Sequence, residues 1–233
     1  YRGYSIDDLA EKSTFEEICY LLIEGKLPNQ NELDAYKSLL AEKRSIPDEL
    51  VELIKEMKSL HPMDVLQTSI SYLGSIENDN LTSVSNIKKL SADIIAKTPT
   101  IVACHKRFRE NQEYIHPKKE LTHAENFLYM MSGTKPSPDE AQLIDKDFIL
   151  HAEHSSNASS FTARVVAGTG ASLYASITAA IAALSGPAHG GAAENVMTMA
   201  LEIEKPENAK NYVKEKRKDK EPIMGFGHRV YRT

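Results

Sequence analysis

The sequence predicts an all-α protein, and three observations carry that expectation. Apolar residues recur at helical spacing in segment after segment. Capping signals stand in front of many of these segments, as Ser or Thr followed three residues later by Glu, or as Pro at a first helical position. Strand signals are poor, since few stretches alternate apolar and polar residues and no Asn-Gly or Asp-Gly hairpin pair occurs.

Taken in order, Thr14-x-x-Glu17 forms a capping box ahead of FEEICYLLIEG, in which Phe15, Ile18, Cys19 and Leu22 make an apolar stripe and Gly25 a C-cap. Asn31 is placed to cap ELDAYKSLLAEKR. Pro47 suits the first turn of PDELVELIKEMKSL and Pro62 that of PMDVLQTSISYLG. Asn78, Asp79 and Asn80 mark a turn. A long periodic stretch then runs from Val84 to Phe108, where Pro99 predicts a break or kink. Thr122-x-x-Glu125 boxes HAENFLYMM, which Gly133 ends. Ser137-Pro138-Asp139-Glu140 opens a helix toward His151. About ten or more helices are expected, with no internal repeat. The Lys/Glu-rich stretch EIEKPENAKNYVKEKRKDKE reads as a solvated helix face. Glycines allow a hinge, and with it a change of domain, near Gly190.

The chain has 233 residues, 41% hydrophobic and 26% charged, with a net charge of −5. That length supports a sizeable core in one domain or two. The mild negative balance points away from nucleic acid and from a membrane surface as partner. No apolar run approaches the roughly 18 residues of a membrane helix. The polar start YRGYSIDDLAEK lacks the pattern of a signal peptide. Cys19 and Cys104 lie far apart in apolar surroundings and read as buried free thiols, which suits a cytoplasmic location. No Cys/His spacing of a metal site is present.

Three histidines have unusual settings: His154 in ILHAEHSSNASSFTAR, His189 in GPAHGGAAEN and His228 in IMGFGHRVYR. A lone histidine is ordinarily a surface or satisfied core residue. Here His189 and His228 sit among glycines, which let backbone approach a ligand closely, and imidazole exchanges a proton near neutral pH. Other site types are poorly supported. AGTGAS, with Gly168 and Gly170, lacks the Lys-Ser/Thr of a phosphate loop and follows no strand, so it reads as helix packing. Ser155, Ser156, Ser159 and Ser160 lack the G-x-S-x-G elbow. His151 and His154 are separated by Ala152 and Glu153, which is not the H-E-x-x-H order of a zinc helix.

Six blocks, YRGYSIDDLAEKSTFEEICYLLIEGKLP, LHPMDVLQTSISYLG, HAENFLYMMSG, LHAEHSSNASSFTAR, GPAHGGAAENVM and IMGFGHRVY, occur in the order of one family. Over essentially its whole length the chain resembles citrate synthase of the bacterial kind. The resemblance implies an all-α, two-domain helical fold, with residues 1–189 in the large domain and 190–233 beginning an incomplete small domain. It implies condensation of acetyl-CoA with oxaloacetate and water to citrate, through an enol and citryl-CoA, in the tricarboxylic acid cycle. His189 matches the histidine that donates to the thioester oxygen and stabilises the enol. His228 matches the one that polarises and protonates the oxaloacetate carbonyl, and His154 matches an oxaloacetate-binding histidine. Glu221, Pro222, Ile223, Met224 and Gly225 resemble the stretch whose backbone borders the coenzyme A adenine, and Arg232 matches an arginine near its phosphates. No cofactor is implied beyond the coenzyme A thioester, which is a substrate. Homodimerisation is implied.

The chain departs from the family pattern in several places. The Asp-Pro-Arg after GFGHRVYR, the later catalytic aspartate, further arginines and a leading segment are not in it, so the resemblance implies a central fragment with little activity of its own. Ser155 stands where the family often has an acidic residue, and Ala193 where it usually has Asn. Two other readings remain open. One is 2-methylcitrate synthase, which uses propionyl-CoA on the same scaffold. The other is a non-catalytic helical dimerisation module. A helical regulatory domain with solvated histidines would leave the six blocks unexplained.

Overall fold

The computed structural model describes residues 1–77 and 84–226. Its helices are α1 (Ile6–Lys12), α2 (Phe15–Glu24), α3 (Gln30–Lys43), α4 (Asp48–Glu56), α5 (Pro62–Ile76), α6 (Val84–Arg109), α7 (His123–Ser132), α8 (Pro138–His151), α9 (Ala158–Gly168), α10 (Leu173–Leu184), α11 (Gly191–Ile203) and α12 (Ala209–Lys218), with a 3₁₀ turn at Pro206–Asn208. Among the described residues there is no strand, as the all-α expectation required. No described helix is long and apolar enough to cross a membrane. The chain divides into two compact units, Tyr1–Ile181 and Ala182–Thr233. The domain change expected at residue 190 lies inside the second of these. The turn expected at Asn78–Asn80 lies outside the described residues.

Local signals fix most helix starts. Glu17 accepts from the Thr14 amide at 2.7 Å, Glu125 from Thr122 at 2.9 Å and Glu140 from Ser137 at 2.8 Å, so orphan first-turn donors are satisfied within each segment. Pro62 and Pro138 both stand at the start of their helices. Gly25 and Gly133 close α2 and α7 in left-handed backbone, at φ 82° and 86°. Two expectations need correction. The cap of α3 is Asn29, not Asn31, because only Asn29 has a glutamate three residues on: its side chain accepts from the Glu32 amide while Glu32 accepts from the Asn29 amide. In α2, by contrast, the expected stripe holds, with Ile18 and Cys19 buried and Phe15 and Leu22 packed partly buried against the core, and Glu16 and Leu21 are buried as well. A Cβ on Gly168 or Gly170 would meet nothing within 4 Å in this chain, and Gly170 lies at φ 82°. Gly170 serves the turn after α9, and neither glycine makes a close helix contact within this chain.

In the first unit, α6 is central and packs against α3, α4, α5 and α7. It runs unbroken through Pro99. Proline removes one i→i−4 bond and strains the turn before it. Here the buried face of α6, from Leu90 through Ile94 and Ile101 to Phe108, holds the helix in place on both sides. The main core joins Leu50 and Ile54 of α4, Ile70 and Leu73 of α5, this face of α6, and Tyr174 and Ile181 of α10. Each such side chain contributes about 1.5–3 kcal/mol on burial. A second cluster, Leu9, Ile18, Leu21 and Ile149, joins α1, α2 and α8. Cys19 and Cys104 are buried free thiols. In the second unit, α12 turns Lys210, Lys214, Arg217 and Lys218 to solvent, the solvated face that its composition predicts.

Between α2, α7 and α8 two titratable groups oppose each other. His123 is buried beside Phe15 and Phe148, with ring centroids 5.0 and 5.9 Å away. Its Nδ1 has no hydrogen-bond partner, while its backbone N–H donates to Glu16 at 2.9 Å. Burial, helped by Arg44, pushes the imidazole down to about 3. Asp145 accepts from the Phe15 amide at 3.2 Å, and burial pushes its carboxyl up to about 6. Neutral His123 therefore contributes stability above the ordinary histidine pKa that is lost as pH falls toward about 3. Asp145 contributes stability at low pH that is lost as pH rises through about 6. Between about pH 4 and 6 the two slopes oppose. Urea unfolding across that range is expected to show His123→Phe losing a positive slope of roughly 1.4 kcal/mol per pH unit relative to the parent. Asp145→Asn is expected to shift the slope in the opposite direction.

Candidate functional site

In the first unit, His154 lies exposed in the connection between α8 and α9. The connection is tightly specified. At its exit, Asn157 caps α9 by accepting from the Ser160 amide at 2.9 Å. In its middle, Ser155 takes left-handed backbone at φ 52°, and its amide donates to the Glu153 carboxylate at 2.5 Å. At its entrance, the Tyr1 hydroxyl reaches the carbonyls of Ile149 at 2.7 Å and Leu150 at 3.1 Å. His151 turns back along its own helix, its Nδ1 lying 2.8 Å from the Asp147 carbonyl. Among the described residues no group of three or more His, Cys, Asp or Glu could hold a metal ion.

In the second unit, His189 is half-buried in the turn from α10 into α11. The turn is built on backbone. The His189 amide donates to the Gly186 carbonyl at 2.9 Å, and the Gly190 amide donates to Leu184 at 3.1 Å and Gly186 at 3.2 Å. This explains Gly190. Its φ of −75° would suit any residue, but a Cβ there would stand 2.1 Å from the Leu184 carbonyl oxygen. The glycine is a requirement of close approach rather than of a hinge. α11 begins at Gly191 without a side-chain cap, so His189 immediately precedes the positive end of a helix.

Glu221, Pro222, Ile223, Met224 and Gly225 follow α12 in the same unit. The Glu221 amide closes on the Lys216 carbonyl at 2.9 Å, and the Glu221 carboxylate accepts from Lys216 Nζ at 2.5 Å. Ile223 to Phe226 form a turn, closed by the Phe226 amide on the Ile223 carbonyl at 3.3 Å, with Gly225 at φ 84°. Glu221, Pro222 and Met224 line a groove of about 250 Å³ with Asn195, Thr198 and Met199 of α11 and Tyr212 of α12. Thus α11 carries His189 ahead of its first turn and one wall of this groove along its length. His228 and Arg232 lie outside the described residues. Sequence reasoning missed the Tyr1 hydroxyl and the Lys216–Glu221 pair. The first spans most of the first unit's length, and the second crosses a helix end where periodicity stops.

Residues 1–233 match the family model described as citrate synthase, C-terminal domain. The chain belongs to the citrate synthase family. It is 47% identical over 236 residues to citrate synthase 2 of Bacillus subtilis, a match that covers 100% of this chain and 63% of that protein. It is 41% identical over 240 residues to 2-methylcitrate synthase 1 of Corynebacterium glutamicum, again covering 100% of this chain and 63% of the relative. A solved citrate synthase of Thermoplasma acidophilum, in ternary complex with carboxymethyl coenzyme A and oxaloacetate, superposes with a TM-score of 0.90 at 31% identity. That match covers 100% of this chain and 62% of the other. The chain therefore spans less than two thirds of the length of these relatives.

The two site glycines should respond differently to substitution. Gly190→Ala must displace a backbone carbonyl and is expected to cost roughly 2–4 kcal/mol. Gly225→Ala meets open space and pays only for its left-handed backbone, about 1 kcal/mol. Thermal unfolding of both variants checks the order.

Proposed function

We propose that this chain contributes to a citrate synthase, which condenses acetyl-CoA with oxaloacetate. The observation that carries the reading is the match of all 233 residues to the family, together with a solved neighbour whose bound molecules are a coenzyme A derivative and oxaloacetate. In this reading the catalytic aspartate that the resemblance implies, which is not among these 233 residues, takes a proton from the thioester methyl, and His189 donates a hydrogen bond to the oxygen as enol character develops. A donor already fixed at that oxygen lowers the barrier, because nothing has to reorganise when the charge appears. The enol carbon attacks the oxaloacetate carbonyl, His228 delivers the proton to its oxygen, and citryl-CoA forms. Water then cleaves the thioester, releasing citrate and coenzyme A. His154 holds oxaloacetate, residues 221–225 border the adenine, and Arg232 faces the coenzyme phosphates. Coenzyme A enters as a substrate, and the chemistry calls on no separate cofactor. We place the reaction in the cytoplasm, which suits two buried free thiols.

A second reading, 2-methylcitrate synthase with propionyl-CoA, is favoured by the 41% identity to the Corynebacterium glutamicum protein. One methylene discriminates by about 10- to 200-fold at most. Thiol release from the intact protein with oxaloacetate and either thioester separates the two: the first reading expects acetyl-CoA to be turned over faster, and the reverse preference would establish the second. His189→Asn is expected to lower turnover by at least about 100-fold. Normal turnover in that variant would remove His189 from its role.

The same reading takes the protein as a homodimer. α9 buries no side chain within this chain and leaves Phe161 and Val165 61% and 54% exposed. A second copy would cover such a face. Light scattering is expected to give twice the mass of one chain, and Phe161→Asp with Val165→Asp to give a monomer.

A further inference from the structure

We infer that Tyr1 is a positioning residue for His154, acting through the last turn of α8. The inference rests on the condensing-enzyme reading, in which His154 holds oxaloacetate.

The last carbonyls of a helix have no intrahelical donors and are normally left to water or a cap. At the end of α8 they are met from the other end of the unit, because the Tyr1 hydroxyl reaches both Ile149 and Leu150. Three residues separate Leu150 from His154. The phenol also faces Glu153, the residue before His154. Burial raises its pKa, the Glu153 backbone amide lowers it, and the Glu153 carboxylate raises it. The Tyr1 ring packs on the cluster of Leu9, Ile18, Leu21 and Ile149, and Ile149 is fully buried there. The hydroxyl is therefore held by a packed core and in turn sets where the connection leaves α8. Its middle is set by the Glu153–Ser155 contact and its exit by the Asn157 cap. Of the three restraints only the first comes from a distant part of the sequence.

Tyr1→Phe keeps the packed ring and removes only the hydroxyl. Arg2→Ala is the control, because Arg2 tethers the same amino-terminal segment to α2 instead, through the Leu22 carbonyl at 2.9 Å. Steady-state kinetics and melting temperature would be measured on the intact protein. Tyr1→Phe is expected to raise KM for oxaloacetate roughly three- to tenfold, the range that one lost neutral hydrogen bond converts to. KM for the acyl-CoA should stay within about twofold of the parent, a difference too small to count as a lost hydrogen bond. Arg2→Ala should leave both KM values at parental level. An unchanged KM for oxaloacetate in Tyr1→Phe overturns the inference. So does a parallel rise in both KM values, or the same rise in Arg2→Ala, since either would show general loosening. A parent protein without turnover would instead sink the condensing-enzyme reading, and this inference with it.

Discussion

A carboxylate buried in the middle of α6 is the constraint on which the larger unit depends. Asp93 is almost completely withdrawn from water, and its oxygens are met by Lys97 Nζ at 2.5 Å and the Tyr174 hydroxyl at 2.8 Å, with Lys43 Nζ at 3.8 Å. An unpaired charge in such a place costs several kcal/mol, so each partner's place is tightly required. Lys43 brings the end of α3, and Tyr174 brings the start of α10. Tyr174 can enter only because α5 offers Gly74, where a Cβ would stand 2.5 Å from the tyrosine's own Cβ. One ionised group thus fixes three helices and demands a glycine on a fourth.

The same arrangement accounts for α6 continuing past Pro99. The Thr100 hydroxyl donates to the Arg44 carbonyl at 2.8 Å, one residue after the proline, and apolar side chains hold the helix before and after it. Arg44 is itself buried and donates to the Lys118 carbonyl, and Asn126 accepts from the Lys118 amide at 2.8 Å. α3, α6, α7 and the strand-free stretch before α7 are therefore tied by polar contacts within the apolar packing. Where so many neighbours fix a helix, a missing backbone bond bends the energetics without ending the helix.

The described candidate residues sit where helices stop, and each stopping point is specified differently. The turn carrying His189 is set by backbone hydrogen bonds and by the space that Gly190 leaves beside Leu184. The connection carrying His154 is set by side chains, from Glu153, Asn157 and Tyr1. The stretch from Glu221 to Gly225 is set by an ion pair back to α12 and a glycine turn. Rigid helices thus deliver short loops to defined places, which is how chemistry-bearing side chains are commonly held.

Read alone, the sequence determined the helical class, most helix starts, the buried thiols and the family. Those features are local or are carried by contiguous blocks. The boxes at Ser137 and Thr122 work over three residues, so their signal lies within one turn of chain. It did not determine which of Asn29 and Asn31 caps α3, since both are good caps and only the reciprocal bond with Glu32 separates them. Nor did it show that Glu16 would be buried under the His123 amide, that Asp93 would meet Tyr174, or that Tyr1 would hold the end of α8. These partners are 107, 81 and 148 residues apart. A single sequence records no distance of that kind. Only the packed structure decides it, because the energy of a buried polar contact depends on everything else that excludes water around it.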